Sequence, residues 1–260
     1  MLKRVAVFVY GVACYGVFFA TFVYAVGFLG NLVVPKSIDS PAQMPFLYAL
    51  GIDVLLLGIF AVQHSVMARP WFKRVWTRVV PEAAERSTYV LFSSLALIAL
   101  FAFWQPLGGT VWDIQSPTAR SLMYDLFGLG FGVVLMATFL INHFDLFGLR
   151  QVWLYLIGKP YTHLSFRTPL FYKYVRHPLY LGWLMAFWFT PTMTGAHLLF
   201  AIMTTTYMLA AIRWEENDLL VALGENYARY RESVPMLIPI GSSKPRESTD
   251  VHQPAAEKAA

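Results

Sequence analysis

Long apolar runs separated by short polar stretches set the pattern of this chain. Residues 5–29 are apolar almost throughout, and at about 1.5 Å per residue they predict a helix that crosses a ~30 Å hydrocarbon core. A polar loop with Asn31, Pro35, Ser37, Asp39 and Pro41 follows. A second helix is predicted over 45–67, interrupted by Asp53 and ending in Gln63-His64-Ser65. A third is predicted over 87–104, broken by Pro106, Gly108 and Gly109. A fourth covers 122–141 and closes on Asn142-His143-Phe144-Asp145. The run 152–157 is too short to cross, so it reads as interfacial or re-entrant. Two further apolar runs, 179–189 and 196–212, flank the breaker Pro191-Thr192-Met193-Thr194-Gly195 and suggest a kinked hairpin. From Arg213 the chain turns polar, and 241–260, rich in Ser, Pro, Lys and Glu, is expected to be a disordered tail.

The fold class that follows is all-α: a polytopic membrane helix bundle of 5–6 transmembrane segments, with a C-terminal helical hairpin and a short cytoplasmic helix. One membrane-embedded domain is expected over 1–240, with four transmembrane helices in 1–145 and a ligand-binding part in 171–240. Composition supports this class. Hydrophobic residues make up 57% of the chain and charged residues only 13%, against roughly 25% charged in soluble domains. The start, with Lys3 and Arg4 ahead of an apolar run, resembles a signal peptide, but no small-residue cleavage pattern follows and a first transmembrane helix is expected.

Charge then orients the bundle. The loop 68–86 carries Arg69, Lys73, Arg74, Arg78 and Arg86, and the loop 144–178 carries Arg150, Lys159, Arg167, Lys173 and Arg176. The alternate loops hold only Lys36 and Arg120. An excess of Lys and Arg marks the cytoplasmic side, so both termini are expected in the cytoplasm. The net charge of +5 is thus a topology signal, and no nucleic-acid partner is expected. The single cysteine, Cys14, excludes an intramolecular disulfide, and no Cys/His spacing suggests a metal site.

Ionisable residues in membrane segments cost about 2.5–3.5 kcal/mol each and need a reason. His64, His143 with Asp145, His177 and Glu215 all fall at segment ends expected on the same face. Taken singly, a histidine at a helix C-terminus is equally explained by the helix dipole; the convergence carries more weight. Asp53 lies deeper and reads as structural pairing, and the scattered methionines read as packing.

Arg176-His177-Pro178-Leu179-Tyr180-Leu181-Gly182, followed by Glu215-x3-Leu219 and Gly224-x2-Tyr227-x2-Tyr230, resembles the isoprenylcysteine carboxyl methyltransferase superfamily over about residues 171–239. Gln63-His64-Ser65-Val66-Met67-Ala68-Arg69, Glu85-Arg86-Ser87-Thr88-Tyr89 and Asn142-His143-Phe144-Asp145-Leu146-Phe147-Gly148 resemble its nurim and NnrU-like branch. Over nearly the whole chain the likeness is to bacterial methanethiol S-methyltransferases, which implies a place in a bacterial inner membrane. The resemblance implies a transferase that uses S-adenosyl-L-methionine (SAM) to methylate a small thiol. It further implies that Tyr174, Arg176, His177, Tyr180, Gly182, Glu215, Glu216 and Tyr227 bind the cofactor. Thiol chemistry wants one general base, for which His64 and His143 are the candidates, with Asp145 to orient His143. Three alternatives stay open: a carboxyl or lipid methyltransferase of the isoprenylcysteine type, a non-enzymatic nurim-like scaffold or nitrogen-oxide accessory protein, and a haem or metal carrier.

Overall fold

The computed structural model describes residues 1–162 and 168–239; the expected tail 241–260 lies outside them. Helices α1 (Leu2–Gly30), α2 (Phe46–Ala68), α4 (Glu82–Phe103), α5 (Pro117–Ile141) and α9 (Gly195–Leu223) are each long and apolar enough to span a membrane. Shorter helices α3 (Pro70–Trp76), α6 (His143–Leu146), α7 (Leu149–Leu156), α8 (Pro178–Trp188) and α10 (Glu225–Ser233) fill the connections. Strands β1 (Thr110–Asp113) and β2 (Thr192–Thr194) form a small antiparallel ribbon, Trp112 opposite Met193.

The five spans carry large apolar side chains on their outer faces, including Val9, Phe19, Leu55, Ile98, Leu129 and Phe139. Water would oppose that exposure and lipid does not, so the chain is a multi-pass membrane bundle. Inside, Phe28, Leu29, Leu100, Trp104, Phe187 and Phe200 form a buried cluster between α1, α4, α8 and α9. The connections gather at two levels. At one, β1 pairs with β2, Lys36 donates to the Ala102 carbonyl and Asp39 reaches Thr194 and His197. At the other, Arg69 meets Asp218, Arg86 meets the Leu146 carbonyl and Arg176 meets Glu216.

Several boundaries differ from the sequence reading. The helix expected from 87 begins at Glu82, after Pro81, and the one expected from 122 begins at Pro117, where the Ser116 hydroxyl accepts from the Ala119 N–H. The helix expected to end at 212 continues as α9 to Leu223, because a polar composition breaks no backbone hydrogen bond. It ends at Gly224 (φ 55°), on the side of the map where a side chain is strained. Helix α8, of 11 residues, spans only ~16 Å. It lies against α5 with backbones nearly touching: a Cβ on Gly182 would stand 2.8 Å from the Gly130 carbonyl oxygen, and one on Gly130 2.7 Å from the Ala186 nitrogen. Small residues of this kind let membrane helices approach closely.

Candidate active site

The site begins where α8 begins. A 3-10 turn over Leu170–Lys173 leads through buried Val175 to Arg176 and His177, with Pro178 opening α8 at a position whose missing N–H is no loss. The backbone here is tied to the segment after α10: the Arg176 N–H donates to the Pro235 carbonyl at 2.9 Å and the His177 N–H to that of Met236 at 3.1 Å. The side chains then reach α9. Arg176 Nε donates to Glu216 Oε1 at 2.8 Å, and its Nη1 to the Arg231 and Val234 carbonyls at 2.7 and 2.6 Å. His177 Nε2 lies 3.0 Å from the same Glu216 oxygen; since a carboxylate only accepts, this nitrogen carries the proton. Both carboxylate and guanidinium are withdrawn from solvent, their side chains 10% and 11% exposed. Glu215, one residue earlier, accepts from the Tyr180 hydroxyl at 3.3 Å, and the same carboxylate oxygen lies 4.0 Å from His177 Nδ1. The two polar stretches, some forty residues apart in sequence, thus form one cluster.

Behind it stands an aromatic group built from three helices. His64 on α2 stacks on Phe60 at 5.3 Å. The Tyr89 hydroxyl on α4 lies 2.9 Å from its Nε2, and Ser93 Oγ 3.1 Å from its Nδ1. Tyr207 on α9 shares a 2.9 Å hydrogen bond with Ser65 and sits edge-on to Phe60. Tyr89, Tyr207 and Tyr180 lie within electrostatic range of one another, which joins His64 to the Tyr180–Glu215 pair. Just outside, Ser65, Val66, Arg69, Trp71 and Trp214 line an open depression of about 240 Å³, with the Arg69 guanidinium 5.3 Å from the Trp214 ring centre.

The other expected residues are placed as follows. His143 is saturated: Thr138 gives its own hydroxyl proton to the Leu135 carbonyl at 2.6 Å, so the ring donates from Nδ1 to Thr138 at 2.8 Å. Its Nε2 then accepts from Tyr15 at 2.8 Å. Burial holds this imidazole below its ordinary pKa, as a neutral ring. Asp145 does not orient it; the carboxylate takes Arg150 at 2.9 Å and Tyr161 at 3.2 Å instead, because residues two apart point to different sides. Tyr174 is exposed, and Gly182 faces the α5 backbone. Tyr227 is buried, with its phenol pushed up to about 12 by burial and then by the charge of Glu216. Tyr172, whose phenol is raised by burial and by nearby Glu215, was not anticipated. Nor were Tyr89, Tyr207 and Arg69, although Tyr89 and Arg69 lie within motifs the sequence displays.

A methanethiol S-methyltransferase of Crocosphaera subtropica is 58% identical to this chain over 243 residues, covering 94% of this chain and 95% of the relative. Another, from Mycobacterium tuberculosis, is 52% identical over 238 residues, with 92% and 98% covered. The chain belongs to the methanethiol S-methyltransferase family. A nurim homolog of Drosophila pseudoobscura pseudoobscura is 30% identical over 208 residues, covering 78% of this chain and 80% of its own, in keeping with a nurim-like branch. No protein-family model and no solved structure matches the chain. Family membership covers both halves of the site, since the aligned length reaches across α2, α4, α8 and α9.

Proposed function

We propose that this chain moves the methyl group of SAM onto methanethiol, giving dimethyl sulfide and S-adenosylhomocysteine. The carbon–sulfur bond to the donor's sulfonium breaks, a carbon–sulfur bond to the thiol sulfur forms, and the thiol proton passes to the protein and then to water. One observation carries the reading: Arg176, His177 and Tyr180 converge with Glu215 and Glu216 in a bundle whose relatives are named methanethiol S-methyltransferases.

The residues present suit such a donor. Glu215, half exposed and held on one side by Tyr180, can accept from an ammonium group or ribose hydroxyls. Arg69, bound to exposed Asp218 only at 3.5 Å, can take a carboxylate. Trp214 offers a stacking face beside it. Arg176 is engaged with Glu216 and two carbonyls, so its role is to hold Glu216 in place. When bound, the donor supplies an electrophilic methyl group. The chain's own part is alignment, exclusion of water by the aromatic wall, and removal of the thiol proton. His64 is the base: both histidines have hydrogen-bond partners at both ring nitrogens, but Tyr89, the partner of His64, lies near the Tyr180–Glu215 pair, whereas the partners of His143 are Tyr15 and Thr138. The arginine-rich end, with the site, faces the cytoplasm, where SAM is made.

The test feeds purified protein SAM and a panel of thiols and reads volatile sulfides in the headspace. His64→Ala is expected to lower turnover about 10²–10⁴-fold, with SAM affinity by calorimetry retained. Full turnover in that variant removes the base; absence of any sulfide from wild type removes the activity.

A further inference from the structure

Tyr207 has partners beside the mouth and beside the base. Its hydroxyl bonds to Ser65, which lines the open depression. Its ring lies edge-on to Phe60, the residue stacked on His64. It is within electrostatic range of Tyr180, the partner of Glu215, and of Tyr89, the partner of His64.

We infer that Tyr207 sets the size of thiol the enzyme accepts, standing as the wall where an acceptor entering past Ser65 reaches His64. This rests on the thiol methyl transfer proposed above. The physical reason is volume. A thiol that gives its proton to His64 and turns its sulfur to the donor's methyl group must place its alkyl group against the surrounding wall, and a rigid phenol latched to α2 would limit that space. Rigid aromatic walls do not yield as flexible aliphatic side chains do, and a misfitting methylene changes specificity about 10–200-fold.

The measurement is kcat/KM for methanethiol, ethanethiol, 1-propanethiol and 1-butanethiol, with SAM affinity measured separately on each variant. Tyr207→Leu removes the wall, and the ratio of 1-butanethiol to methanethiol should rise at least about tenfold while SAM affinity stays near wild type. Tyr207→Phe removes the Ser65 latch but keeps the ring, and its ratio should stay near that of wild type. Should Tyr207→Leu fail to fold, Tyr207→Trp decides: a larger ring should lower ethanethiol turnover relative to methanethiol. An unchanged thiol profile in the folded variants, with methanethiol still methylated, overturns the inference alone. A wild-type protein that methylates no thiol overturns the activity and, with it, the inference.

Discussion

Adding one methyl group at Gly130 or Gly182 separates two explanations of why glycine stands there. A Cβ on Gly130 would lie 2.7 Å from the Ala186 nitrogen and 2.8 Å from the Gly182 oxygen; one on Gly182 would lie 2.8 Å from the Gly130 oxygen and the Val134 nitrogen. All four neighbours are backbone atoms and cannot rotate away, so α5 and α8 must part by on the order of 0.6 Å to restore ordinary contact. Gly182 is two residues from Tyr180 and five from His177, so α8 carries the shift into the site. Added to the 3.0 Å contact between His177 and Glu216, it lengthens that hydrogen bond beyond useful range. Either substitution should therefore cost about 1–3 kcal/mol of stability and about 10²-fold in turnover. Thermal unfolding in micelles and steady-state methyl transfer are the assays. The packing argument requires Gly130→Ala and Gly182→Ala to behave alike. If Gly182→Ala alone weakens SAM binding while Gly130→Ala is silent, Gly182 lines the cofactor and the reasoning is wrong.

Three further outcomes are expected. Glu216→Ala strands a guanidinium that is 11% exposed and should cost about 3–5 kcal/mol; a cycle with Arg176→Met should give a coupling of about 1–3 kcal/mol, and additivity would show that the pair is not a unit. His143 is neutral when folded and has a depressed pKa, whereas the unfolded chain regains the ordinary value near 6.5. Its stabilisation is complete above about pH 6.5 and falls as pH drops, by at most about 1.4 kcal/mol per pH unit, so His143→Gln should flatten the acid limb of a stability–pH curve. Asp39 is raised by burial but lowered further by His197, Thr194 and Asn31. Asp39→Asn leaves His197, whose other nitrogen already faces the Phe187 carbonyl, without its counter-charge; a loss of about 3–5 kcal/mol in thermal unfolding is the expected reading.

The apolar runs showed the spans because lipid demands them, and the pairing of the 176–180 stretch with Glu215 and Glu216 followed from a hairpin between them. Helix ends were less visible. Ser116-Pro117 and Pro81 are start signals that lie outside the apolar runs, so apolarity alone does not reveal them. Arg213 marked a change of composition rather than of backbone, so α9 ran on. The roles of single side chains were hardest to see. From the sequence Arg176 could grip a ligand or a carbonyl; the carbonyls of Arg231 and Val234 that it meets come from a segment some sixty residues on, which no local pattern reveals. Gly182 fell inside a motif and drew a ligand role, while its neighbour Gly130 lies far away in sequence. Tyr207 sits in a run of threonines and apolar residues with nothing nearby to mark it.

The return of that segment also orders the life of a newly made molecule. His177 finds its backbone partner only when Met236 has left the ribosome, some seconds later at about 5–20 residues per second. Until then the helices already threaded into the bilayer lack that tie, and the cluster of Arg176, His177 and Glu216 is not yet closed by the returning segment.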